Sequence, residues 1–373
     1  MHLYLHVPFC ARRCSYCDFA IAVRREVPSA RYAETVLEEW ARWQDDPAWE
    51  ESPGLDTIYF GGGTPSLLSP SALERILGRL RADRTLSPAA EVTLEANPDD
   101  VTAERAAAWR DLGVSRISLG AQSFNPAVLD WMHRTHRAEQ VHQAAQMIRA
   151  AGIVDLTLDL IFALPDELER DWEGDLDQAL ALEPGHLSLY GLTVEDHTPL
   201  GHWVARGAVR PVNEERYARE FLAADHRLAA AGYEHYEVSN YARPGRRARH
   251  NSAYWRRAPY IGLGPSAHSG HGRERRWNRR EWATYEQAMD GREDVVEGRE
   301  HLEEDAVRLE EIYLGLRTIE GVPPEWLPDR ERLAWREAGW LGDAAPGRVA
   351  LTPEGWLRLD SLVGHLQRVE VGR

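Results

Sequence analysis

Cys10, Cys14 and Cys17 are the only three cysteines of a 373-residue chain, and they fall within eight consecutive residues, Cys10-Ala-Arg-Arg-Cys14-Ser-Tyr-Cys17, directly after an apolar run at 3–9. A [4Fe–4S] cluster is ordinarily held by four thiolates. Three in one tight loop would leave one iron open to a small chelating molecule, and chemistry would happen at that iron. The competing reading is a zinc ion held by the same cysteines and His6, a donor set zinc accepts. Structural zinc sites usually clamp ligand pairs far apart in sequence to stabilise a small fold. Here the donors are bunched at the start of a long chain, which favours the cluster.

Such a loop needs a frame. Over the first two hundred residues, six short β-branched or alternating runs (3–9, 57–60, 91–95, 116–119, 155–162 and 186–190) are separated by amphipathic helical stretches. The second helix has Ser69 as N-cap, Pro70 at its first position, and Leu73, Ile76, Leu77 and Leu80 on one face. Thr102 opens the third and Gly113 closes it. This rhythm predicts an α/β fold with about six βα units, a complete or partial TIM-type barrel or an open sheet.

In each case ligands sit beyond the carboxyl ends of the strands. There the sequence offers the cysteines, then Gly61-Gly62-Gly63-Thr64-Pro65, Glu95-Ala96-Asn97-Pro98, Gly120-Ala121-Gln122-Ser123, Asp159 within the fifth run, and Gly191-Leu192-Thr193. The expected division is a βα barrel at 1–205, an elaboration at 206–299 whose Arg-, Gly- and Trp-rich part at 241–282 covers the site, and a unit at 300–373. That last unit, helices plus a short β-like stretch, reads as winged-helix-like.

A net charge of −16 argues against nonspecific nucleic-acid binding, which needs a basic footprint, and acids such as Glu303, Glu304 and Asp305 extend that to the C-terminal unit. Lysine is absent, which removes Schiff-base and P-loop mechanisms. Arginines nonetheless cluster, six at 243–257 and five at 273–280, and suggest a local anion site. No run approaches the length of a membrane span, and no secretory leader precedes the first strand. The cytosol, where thiols stay reduced, is the expected compartment.

The C-x3-C-x2-C spacing followed by a glycine-rich second strand end resembles the radical S-adenosylmethionine (radical SAM) superfamily. Tyr4-Leu5-His6-Val7-Pro8-Phe9-Cys10, Tyr59-Phe60-Gly61-Gly62-Gly63-Thr64-Pro65-Ser66, Leu94-Glu95-Ala96-Asn97-Pro98, Ser118-Leu119-Gly120-Ala121-Gln122-Ser123-Phe124 and Leu158-Asp159-Leu160-Ile161 resemble the oxygen-independent coproporphyrinogen III oxidase group. Within it the chain is most similar to the HemW-type heme chaperones.

The resemblance implies that Cys10, Cys14 and Cys17 hold a [4Fe–4S] cluster whose fourth iron is chelated by S-adenosylmethionine (SAM). It further implies that Tyr4, Gly62, Gly63, Thr64, Glu95, Gln122, Arg134 and Asp159 contact SAM. Reduction of the sulfonium would then yield a 5′-deoxyadenosyl radical, which is the cofactor's chemistry.

The oxidases carry a fourth cysteine two residues after the third, where this chain has Phe19, and usually an N-terminal extension where it has two residues. His250-Asn251-Ser252-Ala253-Tyr254-Trp255 matches the HNxxYW motif of the chaperones. These features imply a heme-binding chaperone rather than an oxidase, with His250, Asn251, Tyr254 and Trp255 as heme contacts and arginines as propionate partners. The implied recipient is an apo-hemoprotein such as a respiratory membrane enzyme. His250 could equally be a hydrogen-bonded structural histidine, with Tyr254 and Trp255 in the core.

Overall fold

Six apolar runs pair side by side, parallel and in chain order, as the sequence predicts. They are β1 (His2–Val7), β2 (Leu55–Gly62), β3 (Leu86–Ala96), β4 (Arg116–Gln122), β5 (Asp155–Phe162) and β6 (His186–Gly191). The computed structural model describes residues 1–371 apart from 48, 50–53 and 169, without the side chains of 369–371. Residues 372 and 373, the end of the expected C-terminal unit, lie outside the described residues.

Register is set by facing apolar positions, with Leu3 beside Ile58 and Ile117 beside Leu156. The helices between the strands cover one face. In helix Pro70–Asp83 the Ser69 hydroxyl accepts from the Ala72 N–H, and Leu73, Ile76, Leu77 and Leu80 are buried. Thr102 caps helix Ala103–Asp111 in the same way, and Gly113 just beyond it takes a positive φ of 86°.

The barrel is partial. β1 is flanked by β2 and by β9 (Tyr260–Leu263), a seventh parallel strand, instead of by β6. Antiparallel strands β10 (His268–His271), β11 (Glu274–Asn278) and β12 (Val296–His301) extend this edge. At the other edge, β8 (Asn240–Ala242) pairs with β6 and β7 (Glu234–Glu237) pairs with β8. The sheet therefore continues across residue 205, and β12 straddles residue 299.

The C-terminal unit contains helices Glu304–Leu316 and Asp329–Glu337, an antiparallel ribbon of Leu341–Asp343 with Val349–Leu351, and helix Leu359–Val371. It is docked against the β7 edge. Trp356 donates its indole N–H to the Leu316 carbonyl at 2.9 Å and meets the His235 ring edge to face at 4.4 Å.

Candidate functional site

A cavity of about 510 Å³ opens at the carboxyl ends of β2 to β6, a size typical of small-molecule sites. All three cysteines border it, together with Gly62, Gly63, Thr64, Glu95, Gln122, Arg134 and Asp159. Residues far apart in sequence, such as Cys10 and Glu95 or Gln122 and Asp159 with Cys14, are thus gathered by strand order.

Glycines at the end of β2 seat the cysteine segment. Gly62 has a φ of 111°, a conformation side chains disfavour, and its N–H donates to Glu95 Oε2 at 3.0 Å. A Cβ on Gly63 would lie 2.8 Å from the Phe9 carbonyl oxygen and 3.0 Å from Cys10 Sγ. The glycines thus admit the protein's own backbone as well as a ligand. Next to them, the Thr64 hydroxyl donates to Cys10 Sγ at 3.3 Å.

Arg134 reaches across the cavity wall, donating from Nη2 to Asn97 Oδ1 at 2.6 Å and to the Gly120 carbonyl at 3.0 Å, and from Nη1 to Cys14 Sγ at 3.6 Å. Gln122 sits at a register shift in the β4–β5 pairing with a φ of 63°. Such strain in a non-glycine residue is characteristic of functional sites.

The carboxylates are buried. Burial raises Glu95 from 4.5 to about 7, opposed by the hydrogen bond from Tyr59, which is 2.7 Å long. Burial likewise raises Asp159 from 3.8 to about 6, against hydrogen bonds from Ser188 and Ser118. Desolvation also lifts the thiols, Cys10 to about 11 and Cys17 to about 12, so both are neutral until a metal displaces their protons.

A zinc ion fits this donor set poorly. His6, its fourth candidate ligand, has Nε2 against the Ala20 carbonyl at 2.9 Å and Nδ1 against the Tyr4 hydroxyl at 3.1 Å. Among the described residues, no three His, Cys, Asp or Glu side chains converge as a single ion requires. A cluster takes one thiolate on each of three irons, and three cysteines bordering one cavity suit that demand.

The chain matches the family model described as the radical SAM superfamily over residues 4–179. It is 37% identical over 366 residues to a protein named heme chaperone HemW from Mycobacterium tuberculosis, covering 98% of this chain and 94% of that one. The chain belongs to the HemW family of the radical SAM superfamily. A HemW of Escherichia coli is 40% identical over 72% of this chain and 69% of its own length. The coproporphyrinogen III oxidase HemN of Escherichia coli superposes with a TM-score of 0.77 at 20% identity, covering 97% of this chain and 88% of that structure, a likeness of fold. Membership of the radical SAM superfamily implies a [4Fe–4S] cluster and SAM.

Two of the expected site residues lie apart from the others in this HemW-family chain. Tyr4 does not border the cysteine cavity; its hydroxyl contacts His6, its ring lies against Tyr59 at 6.0 Å, and it faces a second cavity. Tyr4 and Tyr59 are register partners on β1 and β2, so their rings share one face of the sheet.

His250, expected at heme, is 1% exposed. Its Nδ1 meets the Thr57 hydroxyl at 2.6 Å and its Nε2 the Tyr254 hydroxyl at 2.8 Å, and burial lowers it to about 3. Neither nitrogen is open to a metal. It instead ties helix Arg249–Trp255 to β2. Asn251 from that helix borders the cysteine cavity, while Tyr254 and Trp255 border the second one.

The sequence reading overlooked Asn97, Ser118 and Ser188 as cavity residues. Asn97 and Ser118 stand in the motifs at the ends of β3 and β4, whereas Ser188 becomes a cavity residue only through its register with Asp159.

The arginine clusters are mostly compensated. Arg246 pairs with Asp155, Arg247 with Glu234, Arg257 with Glu310, Arg275 with Glu310, Arg276 with Asp46 and Arg279 with Glu293. A broad anion surface is therefore absent from these segments. Among the described residues, no helix is long and apolar enough to cross a membrane.

Proposed function

We propose that this chain is a heme chaperone of the cytoplasm. It holds a [4Fe–4S] cluster on Cys10, Cys14 and Cys17, binds SAM and heme, and passes heme to an apo-hemoprotein such as a respiratory membrane enzyme. The observation that carries this reading is the similarity to proteins named heme chaperones along 98% of the chain. Phe19, standing where the oxidases have a further cysteine, supports it against porphyrinogen oxidation.

In this reading Arg134 receives the SAM carboxylate, a match of guanidinium fork to carboxylate geometry. Glu95 and Asp159 take the ammonium or the ribose hydroxyls as acceptors, and Gly62, Gly63, Thr64 and Gln122 border the methionine end. Bound and reduced, the cluster would supply the electron that cleaves the SAM sulfonium. The protein's own part is to orient SAM, to keep Cys10 near the Thr64 hydroxyl donor, and to limit water.

The test is anaerobic reconstitution, iron and sulfide analysis, and separate titrations with SAM and heme in wild type and Cys10→Ala. Loss of SAM binding with retention of heme binding in the variant supports the reading. Conversion of coproporphyrinogen III to protoporphyrinogen IX with SAM and reductant favours the oxidase, and absence of heme binding in wild type refutes the chaperone.

A further inference from the structure

A second cavity of about 570 Å³ lies beside the cysteine cavity, and Asp18 and Phe19 border both. Its walls include Tyr254 and Trp255 from helix Arg249–Trp255, and on the opposite sheet edge His268, Gly270 and Arg275. Phe19 is 54% exposed at the junction and presents an apolar face there. A Cβ on Gly270 would lie 2.7 Å from the Tyr260 ring, so this wall is kept open by a missing side chain.

Two residues there differ from His6, His250, Arg257 and Arg275, their neighbours at the cavity and its wall. His268 borders the cavity, is exposed, and makes no hydrogen bond through either ring nitrogen among the described residues; its ring stacks on Trp277 at 5.9 Å. His6 and His250, the neighbouring histidines, have both nitrogens engaged. Arg280 at the cavity rim donates to the Asp18 carbonyl oxygen at 3.0 Å and has no carboxylate partner among the described residues. Arg257 and Arg275, by contrast, are held by Glu310.

An open imidazole, a flanking aromatic wall and an uncompensated guanidinium at the rim match one ligand class: a flat apolar macrocycle with a ligatable metal and peripheral carboxylates. We infer that the second cavity is the heme site, with His268 as the iron ligand, Arg280 as a propionate partner, and Tyr254, Trp255 and Phe19 against the macrocycle. This rests on the proposed heme-chaperone function and names where the cargo sits. His250 is a positioning residue there, because its bond to the Tyr254 hydroxyl fixes the aromatic wall. Histidine ligation of heme iron and arginine pairing with carboxylates are both well-founded chemistries.

The experiment titrates heme into the anaerobically reconstituted full chain as wild type, His268→Ala, His268→Met, His250→Gln and Arg280→Glu, with SAM binding and cluster absorbance as checks on folding. His268→Ala is expected to weaken heme binding at least about tenfold, the scale of one lost strong contact, and to move the Soret band. His268→Met gives a band unlike wild type. Arg280→Glu weakens binding about tenfold with the band unmoved, more so at low salt. His250→Gln keeps the wild-type band position whatever its affinity.

Heme bound by wild type, with band and affinity unchanged in both His268 variants, overturns the inference and leaves the chaperone reading standing. A band that moves in His250→Gln and not in the His268 variants does the same. No heme bound by wild type overturns both.

Discussion

Glu95 is the most informative single group to perturb, because its burial has a calculable cost. In the ligand-free chain it is raised from 4.5 to about 7, so unfolding lets it ionise earlier. A carboxyl whose folded value is raised contributes stability at low pH and loses it as pH climbs from 4.5 through 7. Integrating the linkage relation between pH 5 and pH 8 gives a loss of about 2.5 kcal/mol.

Glu95→Gln removes that titration. Gln keeps an acceptor for the Tyr59 hydroxyl but loses the second acceptor that now takes the Gly62 N–H, which costs about 1 kcal/mol at all pH values. The variant is therefore expected to be about as stable as wild type at pH 5 and more stable at pH 8, with a difference between the two gaps of about 2.5 kcal/mol. Urea unfolding of iron-free protein under reductant, at both pH values, measures it. Comparing variant with wild type cancels groups such as Asp159 that titrate in both. Identical pH dependence of the two proteins would refute the buried, proton-holding Glu95 and with it the account of the cavity's electrostatics.

Three further outcomes are expected. If Glu95 receives SAM as a carboxylate, SAM affinity is about tenfold lower at pH 6 than at pH 8 with proton release on binding, and Glu95→Gln flattens this profile in calorimetry. Gly63→Ala pushes a Cβ to within 3.0 Å of the Pro8–Phe9 backbone and Cys10 Sγ, so the reconstituted variant should lose most of its iron while its circular dichroism is kept. Asp175 accepts from the Ser123 hydroxyl at 2.7 Å and the Phe124 N–H at 2.8 Å and pairs with buried Arg170 at 2.8 Å. Asp175→Ala strands that guanidinium and should cost about 3–5 kcal/mol in denaturant unfolding.

Local sequence carried more of this fold than it did of the ligand geometry. Strands β1 to β6 were legible because each is an apolar run bounded by turn or cap residues, as at Ser69 and Thr102, and a buried parallel strand needs little else. The strands between residues 230 and 301 were not, although the short stretch at Val349–Leu351 was. Glu-His-Tyr-Glu in β7, Glu-Arg-Arg-Trp-Asn in β11 and Val-Glu-Gly-Arg-Glu-His in β12 carry the polar composition of loops, and edge pairing rather than propensity makes them strands. Leu341–Asp343 in the C-terminal ribbon was missed for the same reason.

The sequence by itself narrowed the metal chemistry to a cluster or a zinc ion on three thiols of one loop, since spacing within a loop is a local property, and its resemblance to the radical SAM superfamily pointed to the cluster. Which donors remain available was decided by tertiary structure. His250 and His268 are the same residue type in the same arginine-rich stretch. Packing closes the first between Thr57, 193 residues away, and Tyr254 on its own helix, and leaves the second facing a cavity, because the neighbours brought up by folding settle which ring nitrogens are already bonded.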